Sequence, residues 1–128
     1  MKILLDKQES LDIFHSALCN GLSYFSGYGC EITYKKSDYK RAKEKLIVTS
    51  TPCYEDVLVQ ILKDGGLLTL KDIEGDGLMT TSIKIEDVYD RVAKTPIKFL
   101  LQMIEEQDDA ETADVILQTV FFEDIIFG

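Results

Sequence analysis

The apolar residues Leu11, Phe14, Leu18, Leu22 and Phe25 recur at three- and four-residue steps, the spacing that lines one face of an α-helix. Asp6 followed by Glu9 supplies an N-cap and its return partner, so the pattern predicts an amphipathic helix over about 7–25. Gly27 and Gly29 break the periodicity, and Glu31-Ile32-Thr33-Tyr34 then has the β-branched and aromatic content of a short strand near 30–35. Ser37 and Asp38 are placed to cap a short basic helix through about Lys45. Ser50-Thr51-Pro52 with Glu55 and Asp56 reads as a further helix start, with proline early in the first turn and acids at the positive end. Val57, Leu58, Ile61 and Leu62 give that helix, over about 52–64, its buried stripe, and Gly65-Gly66 closes it.

Two apolar-rich stretches, Leu67 to Ile73 and Leu78 to Ile85, flank Glu74-Gly75-Asp76-Gly77 and predict a β-hairpin with a tight turn. Helical periodicity resumes from Glu86 to Lys94 and stops at Thr95-Pro96, which opens another helix over about 96–106 with Leu100, Met103 and Ile104 on its core side. Asp108 and Asp109 are positioned to cap a last helix from near Ala110. Its Val115-Ile116-Leu117 and Val120-Phe121-Phe122 runs are apolar almost all round and would also suit a strand; helix is the reading adopted. The sum is an α+β domain spanning 1–128, with a small antiparallel sheet of three or four short strands. The 67–85 hairpin is expected at its centre, under a cover of four to six helices.

A chain of 128 residues with 45% hydrophobic and 29% charged residues can bury one core without covalent staples. No window approaches the length of apolar chain that a membrane helix needs, and Met1 to Asp6 is too short an apolar run for a signal peptide. The expected location is cytoplasmic, with no membrane partner. Three separated cysteines (Cys19, Cys30, Cys53), no C-x-x-C pair and one histidine point to free thiols in a reducing compartment. No cofactor is expected.

Charge changes the picture by its distribution. The 14 basic and 23 acidic residues give a formal charge of −9, which argues against duplex DNA as a partner for the whole surface. Yet six cations fall between Lys35 and Lys45, and none follows Lys98. Tyr34, Lys35, Lys36, Tyr39, Lys40, Arg41, Lys43 and Lys45 interleave aromatic and cationic side chains, the chemistry on which a single nucleic-acid strand stacks. An ordinary exposed helix face accounts for the same residues, and nucleic acid is not the expected partner.

Candidate chemistry is sparse. Asp72, Glu74 and Asp76 before Gly77 imitate the first half of a calcium loop, but Ile83 stands where the closing bidentate glutamate belongs. A hairpin turn explains the same residues. His15 and Cys19 lie four apart and share a helix face, which permits a thiol–imidazole pair, although boundary packing is the simpler account. No G-x-S-x-G elbow and no glycine-rich phosphate loop is present, and no catalytic residue is assigned. Eight acids after Lys98 surround an apolar end. Glu105, Glu106, Asp108, Asp109, Phe121, Phe122, Ile125, Ile126 and Phe127 therefore form the candidate partner interface. The expected function is a non-catalytic interaction domain that binds a protein partner or copies of itself. The alternatives are an acidic inhibitor that mimics nucleic-acid phosphates, single-strand contact through 34–45, and an enzyme resting on His15 and Cys19.

Overall fold

Among the described residues six α-helices and three short strands follow one another. A computed structural model describes residues 4–73, 80–105 and 110–127. Its elements are α1 (Lys7–Gly27), β1 (Cys30–Thr33), α2 (Lys36–Ile47), α3 (Tyr54–Lys63), β2 (Leu68–Asp72), β3 (Thr81–Ile83), α4 (Ile85–Arg91), α5 (Ile97–Ile104) and α6 (Ala110–Phe122), with a 3-10 turn at Val92–Lys94 between α4 and α5. This is an α+β fold with a small antiparallel sheet.

The apolar run near the C-terminus is helical, and its surroundings explain why. Every residue of α6 from Thr112 to Phe121 is buried, because α1, α4, α5 and β3 pack around it. A helix that is hydrophobic all round needs such an enclosure. The α1–α6 crossing is close: a Cβ at Gly21 would lie 3.0 Å from both Ala113 Cβ and Leu117 Cδ1. Phe121 fills the space beyond, with its ring centroid 6.3 Å from Phe14 and 6.0 Å from Phe25. Each polar residue that α6 buries makes at least one hydrogen bond, as burial demands, although Asp114 Oδ1 has no hydrogen-bond partner among the described residues. Thr112 Oγ1 donates to Gln102 Oε1 (2.6 Å), and Thr119 Oγ1 donates to the Val115 carbonyl (2.8 Å).

The sheet has the order β1-β2-β3, all antiparallel, with Cys30 opposite Asp72 and Leu68 opposite Ile83. Leu68, Leu70 and Ile83 face the core at 0% exposure. On the opposite face Thr69 and Ser82 pair through their hydroxyls at 2.8 Å. The two-residue period expected of a half-buried sheet is thus present.

Four local expectations need correction. The 67–85 hairpin is not the centre of the sheet, because β2 alone is central and β3 is an edge. The second strand is three residues long, and Ile85 begins α4: Asp87 reaches back to accept from the Lys84 N–H at 2.9 Å and starts the helix there. Ser37 and Asp38 do not cap α2 but lie in its first turn, where Asp38 pairs with Arg41 at 2.6 Å. Pro52 precedes α3, whose N-cap is Cys53. The turn at 74–77 and the capping acids Asp108 and Asp109 lie outside the described residues. Among the described residues no helix is long and apolar enough to cross a membrane.

Candidate functional site

Three regions gather the side chains that carry chemistry. The first joins α1 to the start of α3. Cys53, in extended conformation at φ −86° and ψ 173°, is the N-cap residue of α3, and Asp56 Oδ2 accepts its backbone N–H at 3.0 Å. That bond turns the other carboxylate oxygen toward α1, where Asp56 Oδ1 lies 2.6 Å from His15 Nε2. The opposite ring nitrogen, Nδ1, lies 3.9 Å from Cys19 Sγ, one helical turn away. Donor atoms of His15, Cys53 and Asp56 all fall within 4.8 Å of one another.

The electrostatics separate acid from thiols. The Asp56 carboxyl is held below its ordinary range by the Cys53 N–H, against the opposing effect of desolvation and with further help from His15. Nε2 therefore donates to an ionised carboxylate. The Cys19 thiol is pushed up by desolvation first and by Glu55, Cys53 and Asp56 after it. At Cys53 the Asp56 N–H pulls the thiol down, but desolvation and the carboxylates of Asp56 and Glu55 outweigh it and leave it raised.

Cys19, His15 and Asp56 thus have the connectivity of a nucleophile, a base and its orienting acid. The chemistry does not follow. Cys19 sits in mid-helix, where neighbouring N–H groups are spent on helical bonds and none is aimed at a developing oxyanion. Its acidic surroundings also disfavour the thiolate, which is the reactive form. Of this cluster, the sequence shows the His15–Cys19 spacing alone. Cys53 and Asp56 escape notice because packing, not spacing, brings them there.

The second region is the basic segment. Tyr34 and Tyr39 stack on each other at 5.1 Å and 16°, and Tyr54 leans on both at 6.3 and 6.2 Å. The Tyr54 phenol is pushed up by desolvation and by a hydrogen bond with Tyr34. Tyr34 and Tyr39 each give one ring face to their stack, and Tyr54 is left 40% exposed. Beside them lies a cleft of about 460 Å³ lined by Tyr34, Lys35, Arg41 and the carboxylates of Asp38 and Asp64. Arg41 pairs with Asp38 (2.6 Å) and Lys45 with Asp64 (2.7 Å). Burial raises Asp64, but bonds from Lys45 and Gln60 and the charges of Lys45 and Arg41 overcome it and hold its carboxyl low. Lys36, Lys40 and Lys43 stay exposed along α2.

The third region is the C-terminal segment. Phe121 is core at 1% exposure and presents no surface. Glu123 follows α6 with φ +61°, a left-handed conformation that costs a non-glycine residue of the order of 1–3 kcal/mol. Arg91 secures the turn: its Nη1 donates to the Val120 carbonyl at 2.9 Å, and its Nε lies 2.9 Å from Glu123 Oε1. Beyond it the chain doubles back onto Gln118, which is fully buried. Gln118 Oε1 accepts from the N–H groups of Ile126 (2.7 Å) and Phe127 (2.8 Å), while Nε2 donates to the Phe127 carbonyl (3.2 Å) and to Asp114 Oδ2 (3.0 Å).

Phe127 stacks on Tyr28 at 4.2 Å and also meets Phe122 at 6.1 Å. The Tyr28 hydroxyl donates to Asp114 at 2.8 Å, and desolvation followed by that bond pushes it up to about 12. Ile125 and Ile126 are left 44% and 42% exposed, behind the exposed Glu123 and Asp124.

Of the remaining expected positions, Glu105 is exposed at the end of α5, whereas Glu106, Asp108 and Asp109 lie outside the described residues. Asp72 belongs to β2, with its N–H bonded to Thr80 Oγ1 at 3.1 Å, and Glu74 and Asp76 also lie outside the described residues. No family model, curated protein or solved structure matches this chain.

Proposed function

We propose that the chain is a non-catalytic interaction domain that associates with copies of itself. The acidic C-terminal ledge of one copy seats on the basic α2 face of the next. The observation that carries this reading is the way Ile125 and Ile126 are held. A left-handed turn at Glu123 and three hydrogen bonds from a fully buried glutamine fix the segment that returns over α6. The product is an apolar pair facing outward in one conformation. Fixing a contact before it binds removes ordering entropy from the cost of association.

Complementarity on the same molecule points to a second copy as the occupant. The ledge joins Glu123 and Asp124 to two isoleucines. The outer side of α2 joins Lys36, Lys40 and Lys43 to Ile47 and Val48, which are 55% and 80% exposed beside the end of the helix. Opposite charges flank an apolar pair on each side, an arrangement that steers and registers an encounter. Two different patches meeting make a head-to-tail contact, which closes into a ring or extends as a chain.

Sedimentation velocity over a range of protein concentration and salt tests this. The expected result is a mass that rises with concentration and falls with salt, since exposed charges are screened within about 8 Å at physiological ionic strength. Ile125→Asp with Ile126→Asp, and separately Lys40→Glu with Lys43→Glu, are expected to abolish the rise. A protein that stays monomeric throughout, or association indifferent to both pairs of substitutions, refutes the reading.

A further inference from the structure

We infer that His15, Cys53 and Asp56 bind one zinc ion at the junction of α1 and α3, with Cys19 orienting the imidazole from behind. This inference is independent of the self-association proposed above. Nitrogen, sulfur and oxygen donors within 4.8 Å of one another form a borderline-soft set suited to zinc. In a tetrahedral site with bond lengths of about 2.0–2.3 Å the donors stand roughly 3.3–3.8 Å apart. The His15–Asp56 pair, now at 2.6 Å, must therefore open by about 0.7–1.2 Å, and a donor pair at the 4.8 Å limit must close by about 1 Å. Both side chains are about one third exposed, at 34% and 38%, so small movements of this kind are open to them.

The surroundings meet the other needs of such a site. The Asp56 carboxylate is already aimed by its bond from the Cys53 N–H at 3.0 Å. Cys19 Sγ on the Nδ1 side of the ring stands where a hydrogen-bond acceptor fixes the tautomer of a ligating histidine. A recess of about 280 Å³, lined in part by His15, Asp56, Gln8 and Gln60, opens beside the donors and gives the ion a path from solvent. On binding, the Cys53 thiol releases its proton to solvent and the thiolate takes the metal. The Nε2 proton of His15 is replaced by the metal, and Nδ1 carries the ring proton toward Cys19. One thiolate and one carboxylate then balance the dication, and water takes the fourth position.

Cobalt(II) reports the geometry, because a bound thiolate gives a charge-transfer band that nitrogen and oxygen donors alone do not. One equivalent of Co²⁺ added to the reduced full chain is expected to produce that band, and Zn²⁺ is expected to bleach it. Cys53→Ser is the critical variant: serine is a preferred N-cap, so α3 keeps its start, which circular dichroism verifies. It is expected to remove the band and to lower Zn²⁺ affinity at least tenfold. Cys19→Ser is expected to keep the band and weaken binding by roughly 10–100-fold, the usual effect of losing a ligand's outer partner. The proposal is overturned if no band develops, if the band survives Cys53→Ser, or if Cys19→Ser abolishes it.

Discussion

Replacing Gln118 with leucine tests how the C-terminal ledge is held. The side chain is fully buried and makes three bonds to the returning segment, to Ile126 N, Phe127 N and Phe127 O, and a fourth to Asp114. Leucine nearly preserves the volume, so any cavity contribution is small. At about 1 kcal/mol net for each hydrogen bond, the tail loses about 3 kcal/mol of docking free energy, or roughly two powers of ten in its opening equilibrium. The lost donor to the buried Asp114 costs the whole fold a further ~2 kcal/mol. That carboxylate keeps only its bond from the Tyr28 hydroxyl. Amide hydrogen exchange separates the two effects, because local opening of the tail and global unfolding protect different amides. The amides of Ile126 and Phe127 are expected to exchange about a hundredfold faster in Gln118→Leu, while amides in the middle of α1 report only the smaller global loss. Gln118→Glu keeps acceptor oxygens for both tail amides and removes the donors, so it is expected to retain more tail protection than the leucine variant. If exchange at Ile126 and Phe127 is unchanged in Gln118→Leu while the protein remains folded, Gln118 is not the clamp, and the argument for a preorganised ledge fails with it.

The α1–α6 crossing and the Tyr28 hydroxyl give two further tests. Gly21→Ala gains about 1 kcal/mol of helix propensity, but its methyl meets Ala113 Cβ and Leu117 Cδ1 at 3.0 Å and the Ala113 backbone carbonyl carbon at 3.1 Å. Overpacking of 1–3 kcal/mol is expected to win, with a net loss of about 1 kcal/mol by urea denaturation; a stabilised variant would show that the crossing relaxes freely. The fold favours protonated Tyr28, whose folded value is pushed up to about 12. Its contribution is complete below the unfolded value of about 10 and disappears as pH rises through the folded one. Wild-type stability is therefore expected to fall faster than that of Tyr28→Phe between about pH 10 and about pH 12, and parallel curves would remove the Tyr28–Asp114 bond from the account.

Where structure follows from neighbours in sequence, the chain was readable. The Asp6–Glu9 cap, the apolar spacing of α1 and α3, and the glycine that ends α3 at φ +90° all act within a few residues, and each is in place. The two apolar stretches likewise hold β2 and β3, although which of their residues face inward, Leu68, Leu70 and Ile83, is set by packing. The ambiguity at α6 has a different origin. An apolar run buried on every side satisfies a strand or a helix equally, and the choice rests on the enclosure built by α1, α4, α5 and β3. The boundary between β3 and α4 was misplaced because a lysine stands at the N-cap. Asp87 makes the cap from the third position of the helix, and nothing at Lys84 advertises it.

The candidate sites were less legible for the same physical reason, carried further. His15 and Cys19 announce themselves by sharing a helix face, but Asp56 lies 41 residues from His15 and meets it only because α1 packs on α3. One local signal does exist. Helix starts favour Ser, Thr, Asp or Asn, and here Cys53 occupies that place with Asp56 three residues on. A thiol that caps less well than serine costs the helix some stability, so its presence there is itself a reason to ask what else it touches. The C-terminal ledge shows the converse. Its exposed acids and isoleucines are visible in the sequence as composition, whereas what makes them a surface is Gln118. A polar residue in the middle of an apolar helix reads as a minor irregularity until the returning chain reaches its amide.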